Sequence, residues 1–337
     1  MEALATKYRP RTFEDVVCQD NIKKVLTNQL DTGEVKQAYL FSGSAGTGKT
    51  TSARIFANEV NEGKGKPIEI DGASNNGVDN IRNIIDDCRM KSLDSKYKVY
   101  IIDEVHMLSI GAFNALLKVL EEPPKGVIFI LCTTDPHKIP ATILSRVQRF
   151  QFKRIPQPNV VERLCYILEK EGILEVDPDA VEYIAKLADG GMRDAIMKLD
   201  TVLGYTKKIT LQSVLECLGI TNYDYLFEIV HSIGKQEAQT PVQIIDDIYK
   251  QGKDLKLFVK DLSKFILDLC KLELTQDISC TMLPPEYKRK CTKLICDCGL
   301  DLLVDTMDAV NKLMDRIKYE QNPKSLIESE LILLCLR

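Results

Sequence analysis

The chain has 337 residues, of which 45% are hydrophobic and 28% charged, and its formal net charge is −4. This composition is typical of a globular protein of two or three domains and excludes a generally basic coat for nucleic acid, although a local basic face stays open. The chain has no N-terminal apolar signal region, no run long enough to span a membrane, and eleven dispersed cysteines, so we expect a cytoplasmic protein with reduced thiols and no membrane partner.

Short β-rich runs alternate with helix-like stretches through the first 155 residues. The pattern predicts helices at 20–32, 49–60, 78–89, 110–121 and 142–146, and strands at 38–42, 68–71, 99–103, 127–133 and 150–152. We expect Asp20 to cap the first helix and Gly33 to end it. The run 127–133 is apolar throughout, which favours a parallel sheet covered on both faces and an α/β fold with right-handed crossovers.

The remainder of the chain has a helical pattern. The tract 155–158, Ile-Pro-Gln-Pro, predicts a hinge, and the longest amphipathic stretches lie at 255–274 and 300–317. We therefore expect an α/β nucleotide-binding domain at 1–156, a small helical lid at 157–220 and an all-α C-terminal domain at 221–337.

A phosphate loop follows the first predicted strand. Residues 43–50 match the pattern G-x-x-x-x-G-K-[ST] between a strand and a helix. The backbone N–H groups of such a loop point at phosphates, Lys49 reaches the β and γ oxygens, and the Thr50 hydroxyl ligates Mg²⁺. The sequence thus predicts a nucleoside triphosphate with Mg²⁺, bound by Gly43, Ser44, Ala45, Gly46, Thr47, Gly48, Lys49, Thr50 and Thr51.

Two carboxylates end the predicted strand 99–103. If this strand ends beside the phosphate loop, Asp103 lies near the Mg²⁺ and Glu104 near an attacking water. A carboxylate base beside a metal-binding carboxylate suits phosphoryl hydrolysis.

The nucleic-acid signal is weaker. Ser74, Asn75 and Asn76 precede a predicted helix, where hydroxyl, amide and N–H groups can hold a DNA phosphate. Arg82 continues that segment, and Lys118 lies on another predicted helix. A solvated helix face explains these charges equally well.

Several motifs occur in a fixed order and together carry a resemblance. They are D-E-V-H-M-L-S at 103–109, N-A-L-L-K-V-L-E-E-P-P at 114–124, T-T-D-P at 133–136, I-L-S-R at 143–146 and G-G-M-R-D-A at 190–195, with K-Y-R-P at 7–10 and F-E-D-V-V at 13–17. The chain resembles the AAA+ sliding-clamp loaders, and residues 71–82 are most similar to their bacterial gamma/tau branch. The motifs span residues 4–195.

The resemblance implies roles for individual residues. Thr134 matches sensor 1, a hydroxyl that contacts the γ-phosphate, and Arg193 matches sensor 2, a lid cation on the same subunit's phosphates. Arg146 matches the arginine finger, which reaches the γ-phosphate bound by the neighbouring subunit. The adenine pocket is implied to be lined by Tyr8, Arg9, Pro10 and Val17, with a salt-bridged surface position as the alternative for Arg9.

The resemblance also implies an activity and partners. A clamp-loader ATPase subunit binds ATP and Mg²⁺. It assembles with other loader subunits through a C-terminal collar into a homo- or hetero-oligomer, which we expect to be a pentamer. The assembly loads a ring-shaped sliding clamp onto primer-template DNA. Two alternatives are an AAA+ branch-migration or recombination ATPase and an ATP-binding scaffold with incidental hydrolysis.

Three departures accompany the resemblance. Cys18 stands where the family usually has Gly, and Val147 stands where it commonly has Cys. The four-cysteine zinc module of the gamma/tau branch is missing, because only residues 61–67 separate the phosphate-loop helix from the next strand. We expect no zinc, as in a phage or divergent bacterial lineage or after removal of the module.

Overall fold

The fold is described from a computed structural model. The structure describes residues 2–88, 90, 95–219, 223–284, 287–320 and 322–336. Arg89, the predicted end of one helix, and the predicted domain boundary at 220/221 lie outside the described residues.

A five-stranded parallel sheet forms the centre of the N-terminal region. Its strands run in the order β2-β3-β4-β1-β5, and β1 is paired with β4 and β5 on its two sides, with Leu40 opposite Leu131 and Arg149. The strands are β1 (Ala38–Gly43), β2 (Ile68–Asp71), β3 (Lys98–Asp103), β4 (Val127–Thr133) and β5 (Gln148–Phe152). The predicted five-stranded parallel sheet is confirmed, with strand ends shifted by one or two residues.

Alternate residues of the three central strands, β1, β3 and β4, enter two separate cores. On β1, Tyr39 and Phe41 join one apolar cluster with Phe56 of the phosphate-loop helix, whereas Leu40 joins the cluster on the other face with Leu116. Successive side chains of a strand point to opposite faces, so a strand that is apolar at every position requires helices on both sides. These two layers hold the carboxyl ends of the strands at one edge.

The helices of the N-terminal region largely occupy the predicted positions. The prediction that Asp20 caps α2 is wrong: Asp20 is the first helical residue, and Gln19 is the cap in a left-handed conformation with φ of 62°. Gly33, with φ of 72°, ends that helix as expected. The helices are α1 (Leu4–Lys7), α2 (Asp20–Thr32), α3 (Lys49–Val60), α4 (Val78–Cys88), α5 (Ile110–Glu121) and α6 (Ala141–Leu144).

Helices make up nearly all the regular structure after residue 156. They are α7 (Gln157–Lys170), α8 (Pro178–Leu187), α9 (Met192–Tyr205), α10 (Leu211–Cys217), α11 (Tyr223–Gly234), α12 (Gln239–Lys250), α13 (Leu255–Thr275), α14 (Lys288–Cys298), α15 (Leu300–Ile317) and α16 (Pro323–Cys335). No helix in the described ranges is both long enough and apolar enough to serve as a membrane span.

The chain divides into two compact units. The first comprises Met1–Leu174 and Ile184–Asp200, and the second comprises Glu175–Tyr183 and Thr201–Arg337. The sheet, α7 and the first part of α9 therefore belong to one unit. The division into three domains at 156 and 220 stays a prediction.

Candidate nucleotide site

The phosphate loop connects β1 to α3 and depends on two glycines. Gly46 has φ of 72°, and a Cβ there would lie 3.3 Å from the backbone nitrogen of Arg193. A Cβ on Gly43 would lie 2.3 Å from the carbonyl oxygen of Phe152. Only glycine combines this left-handed backbone with such close approach, so the loop is built at the edge where the strands end.

Lys49 begins α3 and is buried, although it carries a charged group. Its Nζ donates to the carbonyl oxygens of Gly43 and Ser44, at 2.8 Å each. Burial lowers the pKa of Lys49 below its usual value of 10.5, and the nearby carboxylate of Glu104 opposes that shift. The ammonium thus lies inside the loop, where a phosphate would compete with the two carbonyls.

Thr50 and Asp103 meet at the mouth of the loop. The Thr50 hydroxyl donates to Asp103 Oδ2 at 2.8 Å. A hydroxyl and a carboxylate provide the hard oxygen ligands that Mg²⁺ prefers, with water and phosphate completing its shell. The two residues predicted to hold the metal are therefore adjacent, and their donor set fits Mg²⁺.

Glu104 lies next to this pair and has an unusual backbone. Its φ is 45°, a left-handed conformation that is uncommon for a residue other than glycine and that concentrates at functional sites. Its Oε2 accepts hydrogen bonds from the Thr134 hydroxyl at 3.0 Å and from the Thr134 backbone N–H at 3.3 Å. Nδ1 of His106 lies 3.3 Å from the same oxygen. The predicted base and the predicted sensor 1 thus contact each other directly.

The turn before α9 closes over the phosphate loop. The Met192 N–H donates to the Gly46 carbonyl oxygen at 3.0 Å, and a Cβ on Gly191 would lie 3.1 Å from the Ala45 carbonyl oxygen. Arg193 follows this turn and lines the same cavity as Lys49. The structure therefore brings the predicted lid cation to the phosphate end of the site.

One cavity of about 220 Å³ runs from the phosphate loop to an apolar end. All four residues predicted to surround adenine line it, which supports a site position rather than a salt-bridged surface for Arg9. Of the predicted residues, the cavity is lined by Tyr8, Arg9, Pro10, Val17, Ala45, Gly46, Thr47, Gly48, Lys49, Thr50, Thr51, Asp103, Glu104 and Arg193.

Arg146 lies elsewhere. It follows α6, its guanidinium contacts Glu121 Oε1 at 2.7 Å and the Thr142 carbonyl oxygen at 2.7 Å, and it lines a second groove with Lys36 and Gln148. It does not line the cavity that contains Lys49.

The candidate DNA residues occupy the loop after β2. The Ser74 hydroxyl donates to Asp71 at 2.7 Å, and this bond lowers the pKa of Asp71. The Asn75 side chain donates to the Asp71 carbonyl oxygen at 3.1 Å, while the Asn76 carbonyl oxygen accepts from the Ser109 N–H at 3.1 Å. The side chains of Ser74 and Asn75 thus shape the turn.

The two basic candidates differ in their surroundings. Arg82 is exposed and contacts Asp79 at 3.2 Å, and Lys118 is exposed on α5. Both side chains therefore lie at solvent-exposed helix positions.

Sequence reasoning missed six residues that line the cavity. Ala5, Val16, Ile155, Arg163, Met192 and Ile196 extend it along α1, α7 and α9. Met192 lies inside the G-G-M-R-D-A motif and Val16 inside the F-E-D-V-V motif, and these motifs are the local signals that could have identified the two residues. Arg163 has an ordinary helical context, so only the fold reveals it.

The sheet and site together define the class of the protein. A parallel β2-β3-β4-β1-β5 sheet with a phosphate loop after β1, two carboxylates after β3 and a hydroxyl after β4 is the AAA+ form of the P-loop nucleotide-binding fold.

Family models of DNA polymerase III subunits match three ranges of the chain. Residues 67–156 match "DNA polymerase III, delta subunit", residues 159–207 match "DNA polymerase III clamp loader subunit, ATPase lid domain", and residues 209–336 match "DNA polymerase III subunits gamma and tau domain III".

Curated relatives agree with these models. The chain is 35% identical to the DNA polymerase III subunit gamma of Buchnera aphidicola over 294 residues, covering 81% of each chain. It is 38% identical to the tau subunit of Bacillus subtilis over 99% of its own length and 63% of that protein, and 34% identical to the tau subunit of Escherichia coli over 81% of its own length and 46% of that protein. The chain belongs to the family of DNA polymerase III gamma/tau subunits, and it spans about half to two thirds of these tau relatives.

Solved structures resemble the fold at lower identity. The Thermotoga maritima RuvB Holliday junction branch migration motor matches with a TM-score of 0.53 and 22% identity, over 67% of this chain and 79% of that one. At this identity the match describes the fold alone.

Proposed function

We propose that this chain is an ATP-hydrolysing subunit of a sliding-clamp loader. The observation that carries the proposal is the contact of Thr50 with Asp103 beside the Glu104–Thr134 pair, in a chain of the gamma/tau family. Phosphoryl transfer needs a bound metal, a positioned water and charge neutralisation, and this cluster offers residues for the first two.

Within one subunit, each group has a proposed role. The phosphate loop and Lys49 bind the β- and γ-phosphates of ATP, and Thr50 and Asp103 hold Mg²⁺. Glu104 accepts the proton of the attacking water, since it is a carboxylate beside the metal-binding pair. Thr134, whose hydroxyl donates to Glu104, contacts the γ-phosphate, and Arg193 neutralises charge from the lid.

Arg146 is proposed to complete the site of a neighbouring subunit. Its position outside its own cavity supports a role in trans, because a cation that arrives from another chain makes hydrolysis depend on assembly. The proposed assembly is a pentamer of loader subunits, held together by the helical C-terminal domain, in the cytoplasm.

DNA binding is proposed to come from weak contacts repeated around the assembly. Each subunit would make a few of the contacts to the primer-template backbone. They would come from the loop after β2 and from two basic side chains: Ser74, Asn75, Asn76, Arg82 and Lys118. Such contacts add across copies, so a chain with net charge −4 can still bind DNA.

An ATPase assay tests this function. The assembled loader is incubated with sliding clamp, with primed DNA and with both together. We expect the two together to stimulate hydrolysis more than the sum of their separate effects. Stimulation by branched or duplex DNA that ignores the clamp would instead support the branch-migration alternative.

A Glu104→Gln variant separates catalysis from scaffolding. Gel filtration of labelled clamp measures clamp loading on primed DNA. With this variant, loader, clamp and DNA should form a stalled complex from which the clamp is not released. Normal repeated loading by this variant would support a scaffold with incidental hydrolysis and overturn the proposed function.

A further inference from the structure

The apolar end of the nucleotide cavity is built from the first segment of the chain. Ala5, Tyr8 and Pro10 line it together with Val17. These residues offer apolar and aromatic surface, which suits a purine base. The position of the segment 5–10 therefore sets the shape of the base-binding end.

Side chains of α7 and the turn after it fasten this segment. The Tyr8 hydroxyl donates to Glu171 Oε1, and Lys7 Nζ contacts the same oxygen at 2.7 Å. The Arg163 guanidinium donates to the Tyr8 carbonyl oxygen at 3.0 Å. The Tyr166 ring lies edge-on to the Tyr8 ring, with centroids 6.5 Å apart.

These contacts differ from ordinary surface ion pairs. Glu171 is only 22% exposed and accepts two hydrogen bonds at one oxygen. Tyr8 is held at its hydroxyl by Glu171 and at its backbone by Arg163, and Arg163 itself lines the cavity. Two separate attachments fix both the position and the tilt of the ring.

We propose that Glu171 is a positioning residue for the nucleotide base, acting through Tyr8. The inference rests on the proposed ATP site and adds a residue to it. Affinity for the base depends on a carboxylate that follows α7, beyond the predicted hinge at 155–158. Because Glu171 contacts this segment and does not itself line the cavity, its effect should be confined to ligands that contain a base.

The test compares Tyr8→Phe, Glu171→Gln and the double variant. Tyr8→Phe removes the hydroxyl donor, whereas Glu171→Gln replaces the charged acceptor with a neutral amide, and both keep the shape of the side chain. Isothermal titration with Mg²⁺ gives the dissociation constants of ATP, ADP and inorganic tripolyphosphate. We expect each single change to weaken ATP and ADP by about threefold to tenfold, with the double variant no weaker than the weaker single one.

Tripolyphosphate provides the readout that a general structural defect would not mimic. Its dissociation constant should be unchanged in all three variants. In Glu171→Gln, a change at a position that does not line the cavity, kcat at saturating ATP should stay within twofold. Glu169→Gln, two residues earlier on the exposed face of α7, is the matched control and should bind ATP like the wild type.

Three results would overturn the inference. They are unchanged ATP affinity in Glu171→Gln, additive effects in the double variant, and an equal loss of tripolyphosphate binding. Circular dichroism melting of each variant identifies a folding defect, in which case Glu171→Asp replaces the Gln variant and should recover part of the ATP affinity. If the wild type itself binds no ATP, it is the proposed function that fails, so the two failures are distinct.

Discussion

Two surfaces of the compact unit that contains the sheet carry predicted site arginines. They differ in how many of the groups needed to bind a triphosphate each surface contains. In the nucleotide cavity, a buried lysine, a hydroxyl–carboxylate pair and a lid cation already surround one space. Around Arg146, a guanidinium lies in an open groove and is paired with Glu121. The first surface gathers these groups around one cavity, whereas Arg146 lines a different groove and is not among the residues of that cavity. If Arg146 acts in trans as proposed, binding and hydrolysis are separable, and five experiments test that separation.

The largest expected effect comes from Arg146→Ala. Its kcat for ATP in the assembled loader should fall by about 10³-fold, since an arginine finger neutralises transition-state charge. ATP affinity of the isolated chain should stay within twofold of wild type, measured by titration, because Arg146 lies outside the cavity.

A mixing experiment tests whether Arg146 acts in trans. Arg146→Ala chains keep an intact cavity, and Lys49→Ala chains keep the finger, so mixtures should regain activity that neither variant has alone. Failure of every mixing ratio to recover hydrolysis would remove the support for a shared site. Arg149→Ala, a nearby exposed arginine on β5, is the control.

Glu104→Gln should produce the next largest effect. Loss of a general base lowers kcat by about 10²-fold or more, while ATP binding persists because the phosphate loop is intact. Single-turnover hydrolysis gives the rate, and ATP titration gives the affinity. A loss of ATP affinity as large as the loss of rate would show that the carboxylate serves binding and not catalysis.

Glu121→Gln should change the rate in the opposite direction. The ion pair is half exposed, so it contributes at most about 1 kcal/mol, and Arg146 keeps its bond to the Thr142 carbonyl oxygen. Removing the competing carboxylate should raise hydrolysis in the assembled loader by about twofold to fivefold. A lower rate would mean that Glu121 orients the guanidinium. Glu122→Gln is the neighbouring control.

The smallest effect concerns pH and Lys49. Burial lowers the pKa of Lys49 in the folded chain, so as the pH rises toward its usual 10.5 the folded state releases this proton before the unfolded state does. The free energy of unfolding without nucleotide should therefore rise across that window. ATP affinity should fall there, because the ammonium that binds phosphate is lost.

Urea unfolding and ATP titration at several alkaline pH values measure the two slopes. Lys49→Met removes the titrating group, so its free energy of unfolding should rise less steeply with pH than that of the wild type. Equal slopes in the wild type and Lys49→Met would mean that this lysine does not titrate in the window.

Sequence patterns predicted the parts of the site whose residues lie close together in the sequence. The bounds of α2, α3 and α5, and the loop at 43–50, follow from periodicity and glycine spacing. The strand position of Asp103 predicted its contact with Thr50, because parallel strands end at one edge of the sheet. The predicted N-cap of α2 was wrong, because Gln19 takes that position with a left-handed backbone that no residue type there indicates.

Contacts between distant segments left no such signal. Tyr8 and Glu171 are separated by 163 positions, and nothing around Glu171 distinguishes it from Glu169. The pairing of Arg146 with Glu121 likewise depends on how α5 and α6 approach each other. Such pairs are decided by packing, which a single sequence does not specify.

The position of β1 inside the sheet has a consequence for synthesis on the ribosome. β1 ends at Gly43, but its two neighbours end at Thr133 and Phe152. At roughly 5–20 residues per second, the strand that carries the phosphate loop waits on the order of ten seconds before either neighbour emerges. During that interval β1 lacks both of the strands that it pairs with, so the phosphate loop lacks the sheet edge that positions it. Chaperone dependence of the nascent chain should therefore end when residues near 152 leave the exit tunnel.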